Sequence, residues 1–202
     1  MTSGPAVRWN NNIHYHRRIL DAVPAGARTA LDVGTGNGLL AAELHQRVPE
    51  VTAVDPDATV LASARTEDEG VRWVQGDVLT YPFPPASFDV VASVAALHHL
   101  PDLDRALARL AELTAPGGVV AVVGLARSSR PLDALYDVAG LVQQRRYRRR
   151  YGIWEHSAPM VWPPPHTYAA VRRSAARVLP GAAWSRLPMW RYSLVWRKPP
   201  PA

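Results

Sequence analysis

The chain has 202 residues, of which 48% are hydrophobic, and this size and composition favour one substantial folded domain. It contains no cysteine, which excludes disulfides, thiolate catalysis and cysteine-ligated zinc. The N-terminus lacks the basic start and apolar run of a signal peptide, and the longest apolar stretch, near residues 119–126, is too short to span a bilayer. We therefore expect a soluble cytoplasmic protein.

The formal net charge of +6 is unevenly distributed. Residues 1–126 hold 9 arginines against 14 acidic residues, whereas residues 127–202 hold 14 basic residues against 3 acidic ones. Five of the seven tryptophans also lie in the second part. The basic second part leaves RNA and acidic metabolites open as partners without favouring them.

Strands alternate with helices along the first part. The predicted strands are apolar runs that cover residues 28–33, 51–55, 71–75, 88–94 and 119–125. The predicted helices cover residues 10–23, 38–47, 57–66 and 102–113, and a turn is predicted at 115–118. This order is typical of an α/β fold, in which helices cover both faces of a parallel sheet.

Further elements are predicted in the second part. Helices are expected over residues 132–146 and 168–179. Two final strands, over residues 182–188 and 191–197, are separated by a short connection. They predict an antiparallel hairpin at the end of the sheet.

Three glycines, Gly34, Gly36 and Gly38, alternate between the first strand and its helix. Such a turn lets a ligand approach the backbone beside a helix N-terminus. Asp55 ends the next strand, where its carboxylate can accept hydrogen bonds from both hydroxyls of a ribose. We therefore predict a nucleoside ligand.

Two residues argue against a dinucleotide. Leu39 occupies the position where the dinucleotide pattern has its third glycine. Asp32, just ahead of the first glycine, would repel a pyrophosphate but favour a cation, such as an α-ammonium group or its bridging water. A nicotinamide-dependent oxidoreductase is thus the least favoured alternative.

The ordered motifs resemble those of the class I S-adenosylmethionine-dependent methyltransferases. They are ALDVGTGNG, VTAVDPD, VQGDVLTYPFPPASFDVVAS, AALHHLPD and LTAPGGVVAVVGLAR, within residues 28–126. The resemblance implies a Rossmann-like, seven-stranded, mostly parallel sheet with helices on both faces and a final antiparallel strand. It also implies S-adenosylmethionine as the cofactor, with S-adenosylhomocysteine as its product.

The resemblance further implies which residues bind the cofactor. The implied set is Asp32, Gly34, Gly36, Asp55, Pro56, Asp77, Val78 and Ser93. Asp55 would bind the ribose, and the first two glycines would admit the methionine moiety. Asp77 and the backbone of Val78 would read the adenine edge, while Ser93 would lie near the methionine carboxylate or the sulfonium.

Methyl transfer depends mainly on holding the acceptor in line, and a base is needed only where the acceptor must lose a proton. His98 and His99, after the fourth strand, are the candidate catalytic bases. His14 and His16 diverge on the first helix, and no metal site is predicted. Tyr15, between them, is expected either to close over the cofactor or to pack in the core.

Residues 154–165, WEHSAPMVWPPP, suggest an acceptor-binding surface, because Trp154 and Trp162 offer flat apolar faces. We hypothesise that residues 127–166 form a cap over the acceptor, to which Glu155, His156 and His166 could contribute. A surface loop whose tryptophans pack back on the core is the alternative.

The run RRYRRRY, residues 145–151, combines five arginines with Tyr147 and Tyr151 on one helical face. Interleaved basic and aromatic residues can bind RNA. A solvated face or an oligomer contact is the favoured interpretation.

The sequence as a whole predicts a single methyltransferase domain over residues 1–202. Within it we expect an N-terminal helical lid (1–27), a cofactor-binding core (28–126), the cap (127–166), and a last helix with terminal strands (167–202). The favoured function is methylation of a small-molecule acceptor, without a membrane partner. The alternatives are methylation of RNA or protein, and a non-catalytic nucleoside-binding scaffold.

Overall fold

The computed structural model describes residues 8–100, 102–131, 133–155 and 161–200. Seven strands form one sheet: β1 (Thr29–Val33), β2 (Glu50–Asp55), β3 (Arg72–Gln75), β4 (Phe88–Val94), β5 (Thr114–Leu125), β6 (Ala183–Leu187) and β7 (Arg191–Arg197). Their spatial order is β3-β2-β1-β4-β5-β7-β6, with β1 to β5 parallel and β7 antiparallel to both neighbours. The predicted Rossmann-like sheet is confirmed.

The helices connect the strands: α1 (His16–Leu20), α2 (Leu39–His45), α3 (Ala58–Ala64), α4 (Leu103–Leu113), α5 (Asp133–Tyr151) and α6 (Tyr168–Val178). Side chains cap three of them, because Asp57, Asp102 and Thr167 accept hydrogen bonds from backbone N–H groups in the first turns of α3, α4 and α6. Among the described residues, no helix is long and apolar enough to cross a membrane.

Buried side chains form one apolar layer on each face of the sheet. One layer includes Leu107 and Leu110 of α4 with Val171 of α6, and the other includes Ile19 of α1 and Leu44 of α2. Burial of these side chains supplies the main stabilising term. The continuous apolar strands were predictive because both faces of the sheet are covered.

The predicted first helix, over residues 10–23, is wrong in its continuity. The Oδ1 atom of Asn10 accepts hydrogen bonds from the backbone N–H groups of Asn12 and Ile13, both at 2.9 Å. Such local side-chain bonds compete with helix formation. The chain instead makes a 3-10 turn before α1 begins at His16.

The turn predicted at residues 115–118 lies within β5. Phe88 of β4 pairs with Thr114, yet Val90 pairs with Val119, so the chain bulges between these two pairs without reversing. The backbone N–H of Gly117 donates to the carbonyl of Lys198 at 3.0 Å, which holds the bulge against the end of β7.

The helix predicted over residues 132–146 extends to Tyr151 as α5. A Cβ atom on Gly140 would lie 2.6 Å from the backbone nitrogen of Met189. This glycine therefore lets α5 approach the turn between β6 and β7. Arg186 of β6 adds ion pairs to Asp133 and Asp137 of the same helix.

The order of the strands determines where a ligand can bind. Successive strands run outward from β1 to β3, and the chain then returns to place β4 on the other side of β1. The loops after β1 and β4 therefore diverge and leave a crevice at the carboxyl edge of the sheet.

We expect Asp89→Ala to lower the free energy of unfolding by about 1–3 kcal/mol. The Oδ2 atom of Asp89 accepts hydrogen bonds from the backbone N–H groups of Arg28 and Thr29, at 2.8 and 3.1 Å, and from the Thr29 hydroxyl at 3.2 Å. Removing the carboxylate leaves these donors at the start of β1 without their partner. Urea denaturation measures the change.

Asp21→Ala is the matched control, because it removes only an exposed ion pair to Arg17 in α1. Its effect should stay within about 0.5 kcal/mol. Equal effects of the two substitutions would contradict the structural role given to Asp89.

Candidate cofactor-binding and active site

A cavity of about 450 Å³ opens in the crevice between β1 and β4. Its walls come from the loops after β1, β2, β3 and β4, from residues 10–16, and from Trp154 and Arg191. This volume lies within the usual range of small-molecule and cofactor sites.

The glycine loop forms one wall of the cavity. Gly34 and Gly38 adopt left-handed backbone conformations, with φ of 68° and 81°. A Cβ atom at Gly34 would overlap the Cβ of Ala96, and one at Gly38 would lie 2.6 Å from the Trp73 ring. Both glycines are therefore required by protein packing as well as by any ligand, which adds a second reason for the sequence pattern.

Asp55 holds this loop in place. Its Oδ2 atom accepts a hydrogen bond from the N–H of Gly36, and its Oδ1 atom accepts one from the N–H of Asp57, both at 3.0 Å. A carboxylate offers about four lone-pair sites, so acceptor capacity remains on the half-buried side chain. Asp55 and Pro56 both line the cavity.

Asp32 is a buried carboxylate in the cavity wall. The Thr35 hydroxyl donates to its Oδ2 atom at 2.7 Å. Burial raises the pKa of Asp32 to about 6, against the opposing effects of the Thr35 hydrogen bond and of His16. A bound cation would relieve the cost of keeping this carboxylate ionised.

The loop after β3 supplies Asp77 and Val78 to the cavity. Asp77 is exposed and its Oδ1 atom accepts the N–H of Leu79 at 2.9 Å, whereas Val78 is buried. Ser93 of β4 is fully buried, and its hydroxyl donates to the carbonyl of Val33 at 2.9 Å. It ties β4 to β1, and the described lining of the cavity begins one residue later, at Val94.

His98 and His99 lie in the 3-10 turn after β4, and both line the cavity. Burial, followed by the charges of His99 and Arg191, lowers the pKa of His98 to about 4. Its ring is therefore neutral at pH 7, and its Nδ1 atom has no hydrogen-bond partner among the described residues. His99 is exposed, and partial burial lowers its pKa as well.

The consecutive residues His14, Tyr15 and His16 lie in three different environments. His16 lines the cavity and lies 3.2 Å from a Glu43 oxygen, while His14 packs against the Tyr147 ring. Tyr15 is buried in the core and donates its hydroxyl to the carbonyl of Pro188 at 2.9 Å. No group of three metal-ligating side chains occurs among the described residues.

The two tryptophans of residues 154–165 have different surroundings. Trp154 lines the cavity, and its backbone N–H donates to the carbonyl of Trp9 at 2.8 Å. Trp162 is 56% exposed and meets the Trp190 ring edge-on at 5.6 Å. Glu155 is exposed, and His156 lies outside the described residues.

The arginine run occupies the last turns of α5. All five arginine side chains are exposed. Tyr147 is half-buried and stacks on Trp9 at 5.5 Å, and Tyr151 stacks on Tyr147 at 6.0 Å. The inner tyrosine thus packs against the protein itself, and none of the five arginines is among the described residues that line the cavity.

Arg191, which no sequence pattern singled out, lines the cavity from the first position of β7. Its Nη2 atom donates to the Oδ1 atom of Asn12 at 2.7 Å, and its Nη1 atom donates to the carbonyl of Met189 at 3.1 Å. An arginine in a basic segment gives no local signal of burial, because its contacts include residues far away in sequence, such as Asn12.

Comparison with known proteins identifies the class. A family model described as "Methyltransferase domain" matches residues 31–122. An uncharacterized methyltransferase of Mycobacterium tuberculosis is 45% identical over 193 residues, which cover 95% of this chain and 98% of the relative. The chain therefore belongs to the class I S-adenosylmethionine-dependent methyltransferases, and S-adenosylmethionine is its cofactor.

Solved structures share the fold at low sequence identity. A TehB-like S-adenosylmethionine-dependent methyltransferase from Corynebacterium glutamicum aligns over 94% of this chain and 90% of its own, with a TM-score of 0.61 and 18% identity. A [4+2]-cyclase aligns over 93% of this chain and 82% of its own, with a TM-score of 0.69 and 15% identity.

We expect Asp32→Asn to stabilise the ligand-free protein at neutral pH. The pKa of Asp32 is raised from 3.8 to about 6 on folding, so the unfolded chain releases this proton first as the pH rises. The contribution of Asp32 to stability therefore falls between about pH 4 and 6. The stability gained by the variant should be small at pH 4 and reach about 3 kcal/mol above pH 7.

Urea denaturation of both proteins across this pH range measures the difference. The asparagine introduced by this substitution keeps a carbonyl oxygen for the Thr35 hydroxyl, so the comparison isolates the charge. A difference that stays constant with pH would contradict the raised pKa.

Proposed function

We propose that this methyltransferase transfers the methyl group of S-adenosylmethionine to a small-molecule acceptor by in-line displacement. The observation that carries the proposal is the shape of the cavity beyond the glycine loop. Ile13, Leu125, Trp154 and Arg191, from four separate parts of the chain, bound this space within the domain. Such a mostly apolar pocket with a few polar groups suits a small acceptor.

The residues of the cavity fit the cofactor. We propose that Asp55 accepts the ribose hydroxyls with its remaining lone pairs, and that Asp32 holds the α-ammonium group. Asp77 and Val78 would contact the adenine edge. Bound S-adenosylmethionine supplies an electrophilic methyl group on a sulfonium.

We propose that Gly34 and Gly36 carry the backbone close to the methionine moiety, with Pro56 beside the ribose. Ser93 would act from the sheet by fixing the end of β4, from which the loop facing the methyl group departs. Ala95 in that loop has a left-handed φ of 54°, a strained conformation typical of functional sites.

Beyond binding the cofactor, the main task of the protein is to position the methyl acceptor. Holding the acceptor close and aligned can lower the barrier by roughly 7–11 kcal/mol. We propose that neutral His98 orients the acceptor by accepting a hydrogen bond at Nδ1, with His99 as the second candidate at the exposed rim. An acceptor that must lose its proton would deliver it to one of these rings.

We propose that residues 127–166 act as the acceptor cap through Trp154. Of the described residues in this segment, Trp154 lines the cavity, while Trp162 packs on Trp190. Residues 8–20 would complete the cover from the N-terminal side, since Asn12 and His16 line the same cavity.

The experiment is to incubate the purified protein with methyl-labelled S-adenosylmethionine and an extract of its source organism. We expect label in the small-molecule fraction, and less of it with the Asp55→Ala variant when S-adenosylmethionine is below saturation. Label in RNA or protein instead would contradict the proposal and assign the exposed arginines of α5 to a binding surface. No label, with S-adenosylhomocysteine binding intact, would favour a non-transferring protein, as the fold shared with a cyclase allows.

We expect Asp55→Ala to raise the Kd of S-adenosylhomocysteine roughly 10- to 150-fold, the value of a hydrogen bond to a charged group. Calorimetry with S-adenosylhomocysteine and its 2′,3′-dideoxyribose analogue measures this directly. Wild type should prefer the natural ligand by a similar factor, and the variant should bind the two alike.

Asp102→Ala is the control, because Asp102 caps α4 away from the cavity. It should leave both affinities unchanged. Equal weakening of both ligands by Asp55→Ala would mean that Asp55 acts only by holding the glycine loop.

A further inference from the structure

Arg191 is a buried cation that has no acidic partner in the described part of the chain. Its residue is 7% exposed, and it lines the cavity. Its hydrogen bonds to described residues go to the amide oxygen of Asn12 and the carbonyl of Met189, which are uncharged. Its Nε atom has no partner among the described residues, and no described carboxylate forms an ion pair with it.

Arg186, five residues earlier, is a buried arginine that does have acidic partners. Its side chain is 9% exposed and forms ion pairs with Asp133 and Asp137. A buried charge costs several kcal/mol unless it is paired, so an unpaired arginine facing a cavity indicates a missing anion. Burial lowers the pKa of Arg191 to about 10, so the guanidinium stays charged at pH 7.

Other unpartnered polar groups lie near this arginine. His98 Nδ1, His166 Nε2 and the Tyr168 hydroxyl are buried without hydrogen-bond partners among the described residues. Burial has the largest effect on the pKa of His98 and of Tyr168, and the charge of Arg191 acts to lower both. Tyr168 also lies against Arg186, whose guanidinium carbon is 4.1 Å from the centre of its ring. Among the described residues that line the cavity, Arg191 is the one arginine, and His98 is the one member of this group.

The position of Arg191 separates it from the cofactor half of the cavity. Asp32 is on β1, whereas Arg191 pairs with Leu125 of β5 and lies three strand positions from β1. At about 4.8 Å per strand, this is roughly 14 Å. The carboxylate of the cofactor is on the same carbon as its α-ammonium group and so stays beside β1, given the role proposed for Asp32.

We propose that Arg191 binds a carboxylate of the methyl acceptor, which makes the substrate a small carboxylic acid. One arginine matches one negative charge, and a guanidinium binds a carboxylate through paired N–H donors. The carboxylate is the anchor, and the methylated atom lies between Arg191 and the cofactor, beside His98. This inference rests on the proposed function and names its substrate class.

The test uses phenylacetate and its neutral isostere phenylacetamide, with S-adenosylhomocysteine saturating the cofactor half. The aromatic ring of both probes suits the apolar cavity wall and Trp154. Calorimetry should show that wild type binds the acid roughly tenfold or more tighter than the amide. Arg191→Gln should abolish this preference, and Arg191→Lys should restore part of it.

Arg197→Gln is the matched control, because Arg197 is exposed at the other end of the same strand. It should keep the preference for the acid. Equal binding of the two probes to wild type would overturn the proposal, and this arm needs no variant to fold.

A titration with S-adenosylhomocysteine alone distinguishes a carboxylate of the acceptor from the carboxylate of the cofactor as the partner of Arg191. We expect its Kd to be the same in wild type and Arg191→Gln, which also reports that the variant is folded. A tenfold weakening in a variant with an unchanged unfolding transition would assign Arg191 to the cofactor carboxylate and overturn the proposal. Both binding experiments work without methyl transfer. Failure of the proposed function, seen as label only in RNA or protein, is therefore distinguishable from failure of the role proposed for Arg191.

Discussion

The packing of the glycine loop against the loop after β4 is the constraint on which the cavity depends. Gly34 lies so close to Ala96 that any side chain there would displace one of the two loops. Asp55 holds the same glycine loop from the other side through the N–H of Gly36. Because the loops leave neighbouring parallel strands at the reversal of strand order, fixing their separation also fixes the width of the ligand space.

Two buried ions of opposite sign stand at different strands along this space. Asp32 on β1 and Arg191 on β7 both lack an ion-pair partner among the described residues, and both have pKa values displaced by burial toward the neutral form. Each costs the folded protein stability. A cationic group at Asp32 and an anionic group at Arg191, as proposed above, would offset both costs.

Residues 127–202 contribute both to the cavity and to the packing of the fold. Strand β7 pairs with β5, which brings Arg191 to the carboxyl edge of β5, where Asn12 of the N-terminal segment accepts a hydrogen bond from it. The aromatic residues divide between the two tasks. Trp154 lines the cavity, whereas Tyr147 stacks on Trp9 and fastens α5 to the N-terminal segment.

The sequence by itself determined the order of strands and helices, the α/β class of the fold, and most of a set of predicted residues that the structure brings together around one cavity. The alternation of elements, the glycine turn and the acidic strand end are local signals, whereas the seven-stranded order and the remaining site residues came from the resemblance to the methyltransferase family. Two predictions from local pattern differ from the structure. The first helix is interrupted because the Asn10 side chain accepts backbone hydrogen bonds, and the predicted turn at residues 115–118 is a bulge within β5. Only the tertiary structure decided that Ser93 is buried and bonds Val33, and that Trp154 lines the cavity while Trp162 does not. It also decided that Arg191 is buried with no ion-pair partner among the described residues. Each of these depends on neighbours distant in sequence, because burial of a side chain is a property of the packed strands around it.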